Sequence, residues 1–330
     1  MHAMRHRIRR HKLNFPVRIG ISACLTGQSV RYNGGHLNDS FLTETLAPHV
    51  EWVTVCPEVE TGMGIPREQV RLVGDPISPQ LVGSRSGVNH TARMMSWAGQ
   101  RLTEIAEADL DGFVFAKNSP SCGLYRVRVH GETPGALSRQ GVGLFARALR
   151  EQMPGLPVEE NGRLHDPYIR ENFVERIFVH RRWREMLAQA PTPKGLVAFH
   201  TAHKLTFMAH SNSHYRLLGR IVAGAGNASW TRLVKEYEAG MNEALGFIAT
   251  SRKHTNVLYH LMGFLKKKLP APDKQELLEI IDSFRSGQLP LIVPITLLRH
   301  HLRREQIHEW VHQQTYLDPY PEELALRNHV

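Results

Sequence analysis

The pattern of apolar and polar positions changes period near residue 160. Before it, short apolar runs alternate with longer stretches of helical spacing. Residues 17–23 (VRIGISA) and 50–55 (VEWVTV) read as strands, and 112–116 (GFVFA) as a shorter, wholly apolar one. Over 89–108, Met94, Ala98, Leu102, Ile105 and Ala106 fall at helical spacing, and 143–152 is helical again. Strand and helix in alternation predict an α/β domain with an open, mostly parallel, Rossmann-like sheet. After Pro157 helical patterns take over. Asp166 and Pro167 supply an N-cap and a proline at the first helical position, opening a helix to about Ala188. Residues 191–195 (PTPKG) read as a linker. Helices are then predicted over 196–209, 213–222, 230–250, 255–265, 274–286 and 296–312, so the second domain is all-α. The resulting division is a basic tail (1–16), an α/β domain (17–160), a connecting helix and linker (161–194), a helical domain (195–315) and a C-terminal tail (316–330).

With 330 residues, two domains are the default, each with enough chain to bury a core. Apolar residues at 42% and charged residues at 22% are ordinary globular usage, which excludes a wholly disordered or fibrous chain. The longest apolar run, from Leu289 to Leu298, is broken by Pro290 and Pro294 and falls short of the roughly 18 residues a membrane span requires. The N-terminus (MHAMRHRIRRHK) is basic with no apolar segment behind it, unlike a secretory signal. A soluble, cytoplasmic protein with no membrane partner is the expectation.

Charge narrows the partners. The net charge is +10, with 21 basic against 18 acidic residues up to residue 180 and 20 against 13 after it. Eleven of the 20 histidines also lie in that second part. A basic surface concentrates polyanions and favours phosphate contacts; the alternative is a basic enzyme with no nucleic-acid partner.

The three cysteines, Cys24, Cys56 and Cys122, all lie in the first 122 residues, and each follows a predicted strand. Too few for a disulfide framework, they suit a reducing compartment. In an open α/β sheet the carboxyl ends of the strands line the ligand crevice, so three cysteines distant in sequence converge on one edge. Independent, inert buried thiols are the alternative. Converging thiolates are soft metal donors. Structural zinc takes four ligands, usually with short Cys-x-x-Cys pairs, and none occurs here. Three thiolates with no fourth suit an iron–sulfur cluster with one open iron, unless a histidine completes the set. Glu58 follows Cys56 by two residues, as a general acid/base near the metal or as a cap of the next turn. Ser119, Pro120 and Ser121 precede Cys122 in a turn that could orient a ligand. The loop LTGQSVRYNGG after Cys24 offers Arg31, Tyr32 and Asn33 to a substrate, or only bridges strand and helix.

Other patterns carry less chemistry. In FHTAHKLTFMAH, His200, His203 and Lys204 with His210 read as a basic face meeting RNA phosphate, or as a helix packed by polar contacts. No HExxH carboxylate supports a metal. Lys266, Lys267, Lys268, Arg299, His300, His301, Arg303 and Arg304 read as solvated faces or RNA-backbone contacts. Gly141 and Gly143 before a helix echo a phosphate loop, or simply start the helix.

SACLTGQSVRYNGG, CPEVETGMGIPRE and KNSPSCG resemble the three signature segments of the thiouracil desulfidase family, over about residues 17–155. EENGRLHDPYIRENFVERI and LVAFHTAHKLTFMAHS with YRLLG resemble the helical companion domain fused to it in one branch, similar to desulfidases acting on 4-thiouridine in tRNA. The resemblance implies a 4Fe–4S cluster on Cys24, Cys56 and Cys122 with one open iron. It implies Glu58 as acid/base and Ser119 as the serine that orients base or water, with Ser121 close by. Asn33 departs from the family's usual aspartate. The implied reaction is hydrolytic: the thiocarbonyl sulfur is held at the open iron, water guided by Glu58 adds at carbon, and hydrogen sulfide leaves without net electron transfer. Three functions remain open: a desulfidase of thiolated tRNA, a desulfidase of free thiouracil or thionucleosides with a dimerising helical domain, and a non-catalytic cluster- or zinc-containing RNA-binding or sensor protein.

Overall fold

The computed structural model describes residue 13 and residues 16–131, 133, 135–226 and 228–330. The basic tail expected over 1–16 lies almost wholly outside the described residues. The chain divides into two compact units, Pro16–His165 and Asp166–Val330.

In the first unit the strands are β1 (Val17–Ser22), β2 (Val50–Val55), β3 (Val70–Val73), β4 (Gln80–Gly83), β5 (Gly112–Phe115), β6 (Val127–His130), β7 (Leu137–Gly141) and β8 (Val158–Glu160). The helices are α1 (Pro57–Glu60), α2 (Thr91–Glu107) and α3 (Leu144–Gln152). One sheet runs β2-β1-β5-β8 with every pair parallel. Its central strands are covered on both faces, which is why β5 reads as a continuous apolar run. Phe113 and Phe115 stack at 4.3 Å, and Gly20 faces the Phe113 ring so closely that a Cβ would lie 2.2 Å from it. Met94, Ala98, Leu102 and Ile105 form the buried face of α2, while Ala106, at the same spacing, is exposed.

A second sheet, β4-β3-β6-β7, was not legible in the sequence. Its strands are four or five residues long, and Leu72, Leu81, Val127 and Val129 form its buried cluster. One to three apolar positions per strand are too few to establish an alternation.

The second unit is helical: α4 (Pro167–Gln189), α5 (Pro193–His210), α6 (Asn212–Ala223), α7 (Trp230–Gly246), α8 (Ser251–Leu265), α9 (Ala271–Arg285), α10 (Ile292–Arg304) and α11 (Glu309–His312). The α/β plus all-α layout expected from the periodicity is thus observed. The helix expected over 230–250 ends at Gly246, and those expected from 255 and 274 begin at Ser251 and Ala271. Three further differences have a clear physical cause. The linker at 191–195 shrinks to a turn, because Thr192 caps α5 by accepting from the Gly195 N–H at 3.1 Å. The helix expected over 296–312 is α10 and α11, separated by residues 305–308; α10 begins early because Pro294 sits in its first turn, where no intrahelical N–H bond is lost.

The third difference is the expected tail, 316–330, which is part of the core. Tyr316, Leu317, Leu324, Leu326 and Val330 are buried, and the Leu291 N–H donates to the Val330 carbonyl at 2.8 Å. Arg327 brings its guanidinium to Glu171 at 3.2 Å and Glu175 at 3.6 Å, and the Tyr320 hydroxyl donates to Glu171 at 3.0 Å. His210 meets the other Glu175 oxygen at 2.9 Å. Charged residues of α4 that look solvent-facing in sequence therefore lie in the interior. Among the described residues no helix is long and apolar enough to cross a membrane.

Arg327→Met should destabilise the helical unit by about 3–5 kcal/mol, since it strands two buried carboxylates. Urea unfolding followed by tryptophan fluorescence checks this, and adding Glu171→Gln to the variant should recover part of the loss.

Candidate active site

Parallel pairing puts the ends of β1, β2 and β5 along one edge, with Ser22 opposite Val55 in register. Cys24 lies in the single 3₁₀ turn that follows β1, and Cys56 is the N-cap of α1 directly after β2. Cys122 is buried in the turn after β5, closed by the Gly123 N–H on the Ser119 carbonyl at 2.7 Å. That turn is held on three sides. The Lys117 N–H donates to Asn161 Oδ1 at 3.1 Å, and the Leu124 and Tyr125 N–H groups donate to Glu160 Oε1 at 2.6 and 3.0 Å. The first amides of α3 complete it, with Phe145 donating to the Ser121 carbonyl at 3.0 Å. Gly143 is required here because a Cβ would lie 2.5 Å from the Ser121 backbone. The phosphate-loop echo at Gly141 and Gly143 is corrected accordingly: these helix-start amides are spent on the Cys122 turn.

Glu58 sits in α1 with both carboxylate oxygens engaged. Arg67 donates to Oε2 through Nε at 2.9 Å and Nη2 at 2.6 Å, and the Ser121 hydroxyl donates to Oε1 at 2.9 Å. Ser121, considered as a substrate contact, is instead fully buried and bound to Glu58. Ser119 Oγ accepts from the N–H groups of Ser121 at 3.2 Å and Cys122 at 3.0 Å. With both lone pairs filled, its hydroxyl is left as a donor.

The loop after Cys24 folds over this edge. Asn33 Oδ1 accepts from the Gly35 N–H at 3.1 Å and shapes the turn through Gly34, whose φ is +76°. An aspartate would accept the same bond, so the departure at Asn33 leaves the turn intact. Arg31 and Tyr32 are half-buried, and the Arg31 charge reaches the Cys24 thiol. Val30 contributes a carbonyl that receives both the Cys56 thiol at 3.8 Å and Arg67 Nη2 at 3.0 Å.

The thiols sense one another. Burial pushes Cys24 up to about 11, with the Cys56 charge adding to it. Burial likewise raises Cys56 and, most strongly, Cys122, where Cys24, Cys56 and Glu58 all push the same way. Three thiolates at this edge need a cation among them. Among the described residues no three His, Cys, Asp or Glu side chains are gathered tightly enough for a single metal ion. Thiolates are soft donors of the kind that hold iron–sulfur clusters, so Cys24, Cys56 and Cys122 are the residues that could hold one here.

Arg67, Ser22, Glu160 and Asn161 had no role in the sequence reading. Ser22 Oγ accepts from the Ala116 N–H at 3.0 Å and reaches the Cys122 thiol. Arg67 stands in the segment CPEVETGMGIPRE and the other pair in EENGR, but spacing alone does not say which loop each would hold.

The basic face on α5 is overturned. His200 and His203 are 8% and 3% exposed. His200 Nδ1 pairs with the Tyr237 hydroxyl at 3.0 Å, His203 Nδ1 with the Phe199 carbonyl at 2.8 Å, and Lys204 Nζ lies 3.4 Å from the centre of the Trp310 ring. Burial lowers His200 to about 4, with the nearby Lys204 charge acting in the same sense, so it is neutral near pH 7. Phe199 and Phe207 of the same helix stack on these histidines, and Tyr237 of α7, which no local pattern shows, closes over His200.

The chain is thus an α/β unit that gathers three thiols and a clamped carboxylate at one strand edge, joined to a helical domain. Residues 19–161 match the family model described as 2-thiouracil desulfurase, and residues 204–321 match a protein family of unknown function, DUF1722. The chain is 31% identical over 156 residues to the uncharacterized protein YbgA of Escherichia coli (strain K12), covering 46% of this chain and 90% of that protein. It is 32% identical over 108 residues to the uncharacterized protein YbbK of Bacillus subtilis (strain 168), covering 31% of this chain and 71% of that one. Among solved structures it is similar to the [4Fe-4S]-dependent thiouracil desulfidase TudS, at 28% identity over 45% of this chain and 93% of that one, with a TM-score of 0.38. The chain belongs to the thiouracil desulfidase family, its desulfidase domain fused to a helical companion.

His200 generates a pH test. An unfolded histidine titrates near 6.5, while the folded one resists protonation until about 4. Its contribution is therefore complete above about pH 6.5 and lost as pH falls toward 4. His200→Gln should flatten the acid slope of stability by up to about 1.4 kcal/mol per pH unit, read from urea midpoints at pH 7, 6 and 5.

Proposed function

We propose that this chain is a hydrolytic desulfidase converting 4-thiouridine in tRNA to uridine, with a 4Fe–4S cluster held by Cys24, Cys56 and Cys122. The observation that carries the reading is Glu58, aimed by Arg67 and Ser121 at the strand edge where the three thiols gather. When bound, the cluster supplies an open iron, a Lewis acid matched to the thiocarbonyl sulfur. The protein's own groups do the rest. Glu58 Oε1 keeps a lone pair beside the Ser121 bond and takes a proton from the attacking water. That proton, and then the one on the hydroxyl left at carbon, pass by way of Glu58 to the departing sulfur, so water and thiocarbonyl become carbonyl and hydrogen sulfide with no electrons gained or lost. Ser119 presents its hydroxyl hydrogen to the base or the water.

Support for tRNA comes from the positive charge of the second part of the chain. With His200 and His203 packed inside and Lys204 half-buried over the Trp310 ring, exposed groups such as Lys266, Lys267, Lys268, Arg303 and Arg304 remain for phosphate. The second reading, free thiouracil, is favoured by the description of the matching family. Three free thiols are suited to a reducing cytoplasm.

Mass spectrometry of tRNA nucleosides after incubation with anaerobically reconstituted protein tests the reading. Desulfuration of tRNA should fall steeply with salt, while that of free thiouracil should barely change. Parallel salt curves defeat the tRNA assignment, and no turnover of either substrate leaves a sensor. Glu58→Gln should lower turnover roughly 10²-fold with the cluster absorbance retained, and Ser119→Ala should lower it less. Any one of Cys24→Ser, Cys56→Ser or Cys122→Ser should remove the brown absorbance and the activity together.

A further inference from the structure

Arg67 is more than a counter-charge. Its side chain is only 6% exposed, and its guanidinium makes four hydrogen bonds in three directions. Nε and Nη2 hold Glu58 Oε2, Nη2 also reaches the Val30 carbonyl at 3.0 Å, and Nη1 reaches the Gly64 carbonyl at 3.0 Å. Its backbone N–H donates to the Tyr32 carbonyl at 2.8 Å. One residue thus joins α1, the turn before Arg67 and both flanks of Arg31 in the loop over the thiols. The planar fork matters: an ammonium group could neutralise the carboxylate but could not fix its plane while holding two carbonyls.

The need for such a device follows from the charges. The Glu58 side chain is only 15% exposed, and Arg67 is the cation that meets its carboxylate, at 2.6 Å. The Arg67 bonds occupy Oε2 alone and leave Oε1 shared between Ser121 and an open lone pair. The carboxylate is presented edge-on by one defined atom.

We propose that Arg67 is the positioning residue of the desulfidation, aiming Glu58 Oε1 at the reacting water and coupling that aim to the loop of Val30, Arg31 and Tyr32. This rests on the acid/base reading of Glu58 above.

The test uses full-length, anaerobically reconstituted protein with 4-thiouracil as the probe, in four variants: Glu58→Gln, Arg67→Gln, Arg67→Lys and the Glu58→Gln, Arg67→Gln double. Arg67→Gln should lower kcat roughly 10²-fold, as expected for a catalytic group displaced by about an ångström, with KM raised only a few-fold. Arg67→Lys should fall between it and the wild type, and keeps the test open if the Gln variant does not fold. The double variant should be no slower than Glu58→Gln alone, because both changes disable one device. Iron content and cluster absorbance should be the same in all four. Wild-type kcat in Arg67→Gln or Arg67→Lys, multiplicative losses in the double variant, or iron lost in step with activity would each overturn the proposal. Should Glu58→Gln itself turn over normally, the acid/base reading fails first and this one with it. An inactive Glu58→Gln beside an active Arg67→Gln defeats only this one.

Discussion

Parallel pairing of β1 with β2 on one side and β5 on the other is the constraint on which the site depends. Parallel strands end at the same edge, so Cys24 and Cys56 are delivered to one place by the strand pairing, and the turn after β5, held by Asn161 and Glu160, brings Cys122 to them. Antiparallel pairing would have sent at least one of them to the opposite edge. The apolar run of β5, the Phe113 and Phe115 stack, and the absence of a side chain at Gly20 all serve to keep those three strands in register and covered.

Bringing three thiols and a carboxylate together creates an electrostatic problem, and the structure meets it with polar groups from elsewhere in the fold. Arg67 offsets Glu58, Glu160 and Asn161 grip the Cys122 turn, and Ser22 reaches the thiol from below. A buried carboxylate such as Glu160 is tolerable only because backbone N–H groups of two residues point at it. The same logic governs the helical unit, where Glu171 and Glu175 are satisfied by Arg327, His210 and Tyr320. In both units, charged side chains fix loops and chain ends that apolar packing alone would leave free to slide.

What could be read without the structure followed the length over which a pattern repeats. Long helices such as α2 and α7 carry enough turns to display their period, and β1 and β2 are long enough to mark where their cysteines begin. The second sheet has four or five residues per strand, and its pattern is drowned by the flanking loops. The segment 316–330, rich in Pro, Glu and Asp, looks like a tail because its burial depends on Arg327 finding Glu171 across 156 positions of chain.

The amino-acid sequence by itself determined the α/β and all-α division, the strand ends at Cys24, Cys56 and Cys122, and the signature segments that assign the family, because each is written in neighbouring residues. Only the tertiary structure decided that Ser121 faces Glu58 while Ser119 serves the Cys122 turn, that Arg67 joins the Val30 loop to the carboxylate, and that His200 and His203 are interior groups. Each of those outcomes depends on a partner brought close by folding. A serine, an arginine or a histidine has the same local signature whether it meets solvent, substrate or core.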